Sequence, residues 1–236
     1  STHCISSAAS DVYKRQATGL EQQLWAAADI LRGKMDASEY KNYLLGLVFY
    51  KYLSDSELRE VYEQENGQTT DFPTRSVQYQ TLMDWFEDDS EELAEIIQLQ
   101  KGYFIKPSQL FYTYRQQADR YEFNLTDLQA GFNELERQGD QFKGLFADID
   151  LNSTKLGSNA QQRNVTITEV LRALDEIDLF EHDGDVIGDA YEYLIGQFAA
   201  GAGKKAGEFY TPQAVSRIIS ETVSYTHLTL PTICSV

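Results

Sequence analysis

The stretch Asp36-Ala37-Ser38-Glu39-Tyr40-Lys41-Asn42-Tyr43-Leu44-Leu45-Gly46-Leu47-Val48-Phe49-Tyr50-Lys51-Tyr52-Leu53 decides the fold. Tyr40, Tyr43, Leu44, Leu47, Val48 and Lys51 recur at helical spacing, and Asp36-x-x-Glu39 in front of them has the form of a capping box. Leu45, Phe49, Tyr52 and Leu53 widen the apolar surface beyond one stripe, which predicts a helix buried at the centre of the fold. Its pattern continues through Leu58, Val61 and Tyr62 and stops at Asn66-Gly67.

Outward from this helix the chain reads as further helices. Leu20, Leu24, Trp25, Ala28 and Leu31 mark an amphipathic face that ends at Gly33. After a polar loop with Pro73, helical spacing returns from Leu82 to Phe86 and again at Leu93, Ile96 and Ile97. The acidic run Glu87-Asp88-Asp89-Ser90-Glu91-Glu92 lies between them. It lacks the ligand spacing and central glycine of a calcium loop, and reads as a solvated helix start favoured by the helix dipole. Tyr103-Phe104-Ile105 before Pro107 reads as a short strand or extended turn, with Leu110 and Phe111 opening a helix. Leu125, Leu128, Phe132 and Leu135 mark another, and Thr166-x-x-Glu169 is expected to cap one containing Ile167, Val170, Leu171, Leu174 and Ile177. The aromatics between Tyr103 and Phe123, interleaved with Lys106, Arg115 and Arg120, suit base stacking, core packing or a partner surface.

Ile187, Ala190, Tyr191, Leu194, Ile195 and Phe198 follow helical spacing and lead into Gly201-Ala202-Gly203-Lys204-Lys205-Ala206-Gly207. Glu208-Phe209-Tyr210-Thr211-Pro212 comes next, before an apolar stripe at Val215, Ile218, Ile219 and Val223. Thr211 stands where a helix cap belongs, and Pro212 at the first helical position, where a missing N–H costs nothing. A helix start carries free N–H groups and partial positive charge, which favour a carboxylate or phosphate. Two readings stand: a pocket for a zwitterionic or nucleoside ligand, or a capped helix with Phe209 and Tyr210 buried. Gly203-Lys204 is followed by Lys205 where a phosphate-binding loop needs Ser or Thr, and no glycine stands five residues before Gly203, so a nucleotide-hydrolysing motif is rejected.

Asp183 to Phe198 and onward to Thr211-Pro212 closely resembles the methylation subunit of type I restriction–modification systems. Leu24–Gly33 with Met35-Asp36 and Glu39-Tyr40-Lys41, and Asp148–Ser153 with Lys155-Leu156-Gly157, agree in the same order. The resemblance runs from about Leu20 to about Glu221. It implies an adenine-specific DNA methyltransferase that uses S-adenosylmethionine, with Glu208, Phe209, Tyr210, Thr211, Pro212 and Gln213 contacting that cofactor. It implies direct transfer to the exocyclic amine of adenine without a metal, a specificity subunit and a restriction subunit as partners, and double-stranded DNA as target.

The family's next motifs, an Asp-Pro with a glycine turn and a later Asn-Pro-Pro-aromatic that grips a flipped adenine, are not found. No catalytic residue is therefore assigned, and a fragment inactive on its own is expected. Residues 1–16 and 224–236 do not fit the resemblance and read as non-native leader and tail. The expected fold is mainly α: a helical N-terminal domain over 17–182, then over 183–223 the first helices of a truncated α/β, Rossmann-like methyltransferase domain.

Composition sets limits. The only cysteines, Cys4 and Cys234, lie in those ends, which leaves neither a disulfide framework nor a thiolate metal site, and His182 reads as a loop residue. No apolar run approaches membrane-spanning length, so no membrane role and a cytoplasmic location are expected. A net charge of −17 repels DNA at long range. The helical part is therefore expected to contact proteins and cofactor rather than to read DNA.

Overall fold

The computed structural model describes residues 19–180, 188, 190–195, 215, 218, 219 and 222. Among these every regular element is a helix, and no strand occurs. Helix α1 covers residues 19–32, α2 Ala37–Asn66, α3 Arg75–Asp88 and α4 Ser90–Lys101. Helix α5 spans Phe111–Asp119, α6 Leu125–Glu136 and α7 Ala160–Asp175.

The long helix predicted from Asp36 is central. Leu44, Leu47, Tyr50, Leu58 and Val61 are fully buried, and α3, α4 and α5 all pack on α2. Each such side chain withdrawn from water contributes about 1.5–3 kcal/mol. Gly67 ends α2 at φ 84, a left-handed value that favours glycine, and its N–H closes on the Glu63 carbonyl at 2.8 Å. Helix α1 buries Leu24, Ala28 and Leu31 of its predicted face together with Ala27, leaves Leu20 and Trp25 half-buried, and carries Arg32 over the Trp25 ring at 3.9 Å.

The acidic run splits α3 from α4. Asp89 accepts from the N–H groups of Glu91 and Glu92 at 3.1 and 2.9 Å, which is the predicted helix start. Residues 103–106 are extended without pairing into a sheet. Their backbone is satisfied by side chains instead: the Gln138 amide binds both N–H and carbonyl of Phe104 at 2.6 Å, and Glu57 accepts from Ile105 N–H at 2.8 Å.

Most of the aromatic-dense stretch is core. Tyr50 and Tyr114 stack with centroids 6.3 Å apart, and Phe132 and Phe146 stack at 4.2 Å. The hydroxyls of Tyr50 and Tyr114 reach the Gln109 and Asp127 carbonyls, each at 2.9 Å. Both pass close to α6 at Gly131, where a side chain would intrude. Tyr103, Phe111 and Phe123 are also buried, whereas Tyr121 is 92% exposed at φ 61. Lys106 and Arg115 are engaged with carboxylates. Of the three uses the sequence left open, core packing is what these rings do.

Two local expectations fail. Asp36 occupies the N-cap of α2 but makes no side-chain cap bond, and the carboxylate of Glu39 is taken by Lys155. Thr166 caps nothing: α7 begins six residues earlier behind Asn159, which accepts from Gln162 N–H at 2.9 Å. The Thr166 hydroxyl is buried in mid-helix, donates to the Leu156 carbonyl at 2.8 Å and receives Lys34 at 2.9 Å. A polar, solvated first turn hid the true start.

Candidate functional site

Glu208, Phe209, Tyr210, Thr211, Pro212 and Gln213 lie outside the described residues, as do His182, Ile187, Phe198 and the glycine-rich segment 201–207. The described residues flank them on both sides. Residues 188 and 190–195 are helical ahead of the segment, and 215, 218, 219 and 222 are helical behind it. The cap of that helix, expected at Thr211-Pro212, itself lies outside the described residues. Val215, Ile218 and Ile219, its predicted apolar stripe, are 46%, 63% and 54% exposed.

The leading helix is bound to the body of the protein. Ala190 and Leu194 are fully buried in the common core. The Tyr191 hydroxyl donates to the Leu45 carbonyl of α2 at 2.9 Å.

Charged side chains meet elsewhere. Lys51 and Asp55, almost inaccessible, pair across one turn of α2, and Asp55 faces Arg75 of α3 at 3.8 Å. Arg75 pairs with Asp175 at 2.6 Å and donates to its carbonyl at 2.9 Å. Arg115 of α5 approaches Asp175 at 3.5 Å and pairs with Asp119, which Arg172 of α7 also approaches at 3.5 Å. Burial depresses the Arg75 guanidinium, but Asp55 and Asp175 beside it prevail and hold it above its ordinary value. Within this network Lys51, Asp55, Arg75, Arg115, Asp119, Arg172 and Asp175 each face a group of opposite sign. It ties α2, α3, α5 and α7 to one another. Only the i,i+4 spacings of Lys51 with Asp55 and Arg115 with Asp119 announce it in the sequence.

Glu57 is the other buried carboxyl. Burial pushes it well above the usual carboxylate range, against the opposing pull of the Ile105 N–H and Lys101. Its second oxygen has no hydrogen-bond partner. A cavity of about 290 Å³ lies between α4, the extended segment and α6, lined by Ala94, Glu95, Gln98, Phe104, Lys106, Glu134 and Gln138. Lys106 and Glu134 neutralise each other there, and the hydrogen bond from Lys106 holds Glu134 below its ordinary value. Among the described residues no group of three or more His, Cys, Asp or Glu is placed to hold a metal ion. None of the described helices is long and apolar enough to cross a membrane.

Residues 20–174 match the HsdM N-terminal domain family, and residues 182–229 match the N-6 DNA Methylase family. The type I restriction enzyme MpnII methylase subunit of Mycoplasma pneumoniae is 36% identical over 220 residues, which is 87% of this chain and 39% of that protein. The MjaIX methylase subunit of Methanocaldococcus jannaschii is 24% identical over 207 residues, 84% of this chain and 34% of its own length. A crystal structure of a type I restriction–modification system methyltransferase subunit from Streptococcus thermophilus superposes with a TM-score of 0.80 at 43% identity. That match covers 87% of this chain and 43% of the other. The chain therefore spans about two fifths, or less, of the relatives it matches.

Proposed function

Because this chain belongs to the HsdM N-terminal domain family, that of the methylation subunits of type I restriction–modification systems, we propose that it is part of an adenine-specific DNA methyltransferase. The observation that carries this reading is the order of its parts. A packed helical body runs into a helix, a glycine-rich stretch and an acid–aromatic–aromatic–Thr–Pro segment, with helix again beyond.

In this reading residues 17–182 serve assembly, and 183–223 begin the methyltransferase domain, whose family match continues to residue 229. S-adenosylmethionine bound at Glu208–Gln213 would supply the methyl group. The residue chemistry suits that molecule: free N–H groups behind the Thr211 cap for its carboxylate, the Phe209 and Tyr210 rings for its adenine, and Glu208 for its ammonium or ribose. Holding donor and acceptor side by side is the main catalytic contribution such a site makes. The group that grips the target base is assigned to no residue here.

A second reading, a non-catalytic module that binds a specificity subunit, is favoured by the charge of −17 and by the exposed carboxylates of Glu87, Asp88, Glu91, Glu92 and Glu95. These fit a protein partner better than DNA phosphates. In the complete complex both readings hold together: specificity and restriction subunits assemble on the methylation subunit, and double-stranded DNA is bound by the whole.

The test is transfer of labelled methyl groups from S-adenosylmethionine to duplex DNA. The complete subunit with its specificity subunit is expected to label the exocyclic amine of adenine, and the present 236 residues alone to label nothing. Label on cytosine, or none from the complete complex, would refute the proposal.

A further inference from the structure

The last turn of α2 carries a reactive pair. Asn66-Gly67 is the one Asn-Gly in the chain, and both residues are exposed. Every other asparagine is followed by a residue whose side chain crowds its own backbone nitrogen. Gly67 has no side chain, and the space around it is open: a Cβ placed there would meet nothing within 4 Å. A backbone nitrogen so unhindered can attack the side-chain amide before it, the route by which asparagine loses ammonia.

The fold restrains both reactants. Gly67 N–H donates to the Glu63 carbonyl at 2.8 Å, so the attacking nitrogen is engaged. The Asn66 side-chain nitrogen, which is the leaving group, donates to the Tyr62 carbonyl at 3.0 Å. Asn66 is also the final residue of α2, and ring closure requires its ψ to leave the helical value. All three restraints lapse together when this turn frays, and helix ends open at little free-energy cost.

We propose that Asn66 is a site of spontaneous deamidation, held in check by the last turn of α2. The Gly67 nitrogen gives its proton to base and bonds to Asn66 Cγ. The Cγ–Nδ2 bond breaks, and the nitrogen leaves as ammonia with a proton from solvent. Water then opens the cyclic imide to aspartate or isoaspartate, and nothing is oxidised or reduced. The new carboxylate stands at the negative end of the helix dipole, beside Glu63 and Glu65, in a last turn without a basic residue. The donor to the Tyr62 carbonyl is lost as well. The modified turn is therefore held less firmly. Phe72, whose ring lies 6.2 Å from that of Tyr62 and 3.9 Å beneath Arg59, loosens with it.

Peptide mapping by mass spectrometry tests this on the 236-residue chain, incubated at mildly alkaline pH both folded and unfolded in urea. In the folded chain Asn66 should convert ahead of every other asparagine, yet about three- to tenfold more slowly than in urea. Asn66→Gln should stay unconverted at this position. Asn66→Asp, which imitates one product, should raise hydrogen exchange of the Gly67 amide about threefold or more while the middle of α2 is unchanged. No conversion of Asn66 in the folded chain, an equal rate folded and unfolded, or unaltered Gly67 exchange in Asn66→Asp overturns the inference.

Discussion

Gly131→Ala sets two effects of opposite sign against each other inside α6. In a helix interior alanine is favoured over glycine by about 1 kcal/mol, so propensity alone expects a more stable protein. The packing opposes this. A Cβ on residue 131 would stand 2.6 Å from the Tyr50 hydroxyl and 2.7 Å from that of Tyr114, closer than real Cβ atoms approach oxygen. Neither ring can swing aside freely. Both tyrosines are fully buried, and each hydroxyl is tied to a backbone carbonyl at 2.9 Å. Overpacking of this kind costs about 1–3 kcal/mol, and each hydrogen bond displaced from its acceptor about 1 kcal/mol more. After the propensity gain, a net loss of about 2–3 kcal/mol is expected, a fall in melting temperature of roughly 5–10 °C for a domain of this size. Urea titration of wild type, Gly131→Ala, Tyr50→Phe/Tyr114→Phe and the triple variant separates the terms. Removing both hydroxyls should restore much of what the alanine loses, giving strong coupling between the sites. If Gly131→Ala is neutral or stabilising, or its cost persists without the hydroxyls, the close approach of α2, α5 and α6 at this point is wrong.

Three further outcomes follow from the same packing. Asp175→Asn leaves Arg75 and Arg115 without their shared carboxylate; since all three side chains are about three-quarters or more buried, a loss of about 2–3 kcal/mol is expected in denaturant unfolding. Glu57→Gln tests the raised carboxyl through the pH dependence of stability. A carboxyl held above its ordinary value contributes fully below that ordinary value and progressively less as pH rises through the folded value. Wild type and Glu57→Gln should therefore be close in stability near pH 4, with the variant gaining on wild type as pH rises; parallel profiles would refute the burial. Asp89→Ala removes the side chain that caps α4 and should cost about 1 kcal/mol, read as increased exchange in the first turn of that helix.

Helices whose apolar residues face one core were legible in the sequence. The pattern from Tyr40 to Tyr62, stopped by Gly67, gives α2 almost to the residue, and Leu125 to Leu135 gives α6. What escaped depends on partners distant in the chain. Glu39 fits a capping box locally, yet Lys155, more than a hundred residues on, holds its carboxylate. The start of α7 escaped because its first turn is solvated and lacks an apolar period, while Thr166-x-x-Glu169 imitates a cap inside it. Tyr103-Phe104-Ile105 has the composition of a strand, but Gln138 and Glu57 satisfy its backbone, and no pattern announces them. The proposed cofactor segment rests on local chemistry alone, a cap, a proline and two rings in succession, and lies outside the described residues.

Calorimetric titration of the complete subunit with S-adenosylmethionine bears most directly on that segment. Binding by the wild type is expected, weakened several-fold by Thr211→Ala through loss of the cap and more strongly by Tyr210→Ala through loss of a stacking face. A wild type that takes up no cofactor, or two variants that bind as tightly as it does, would contradict the account.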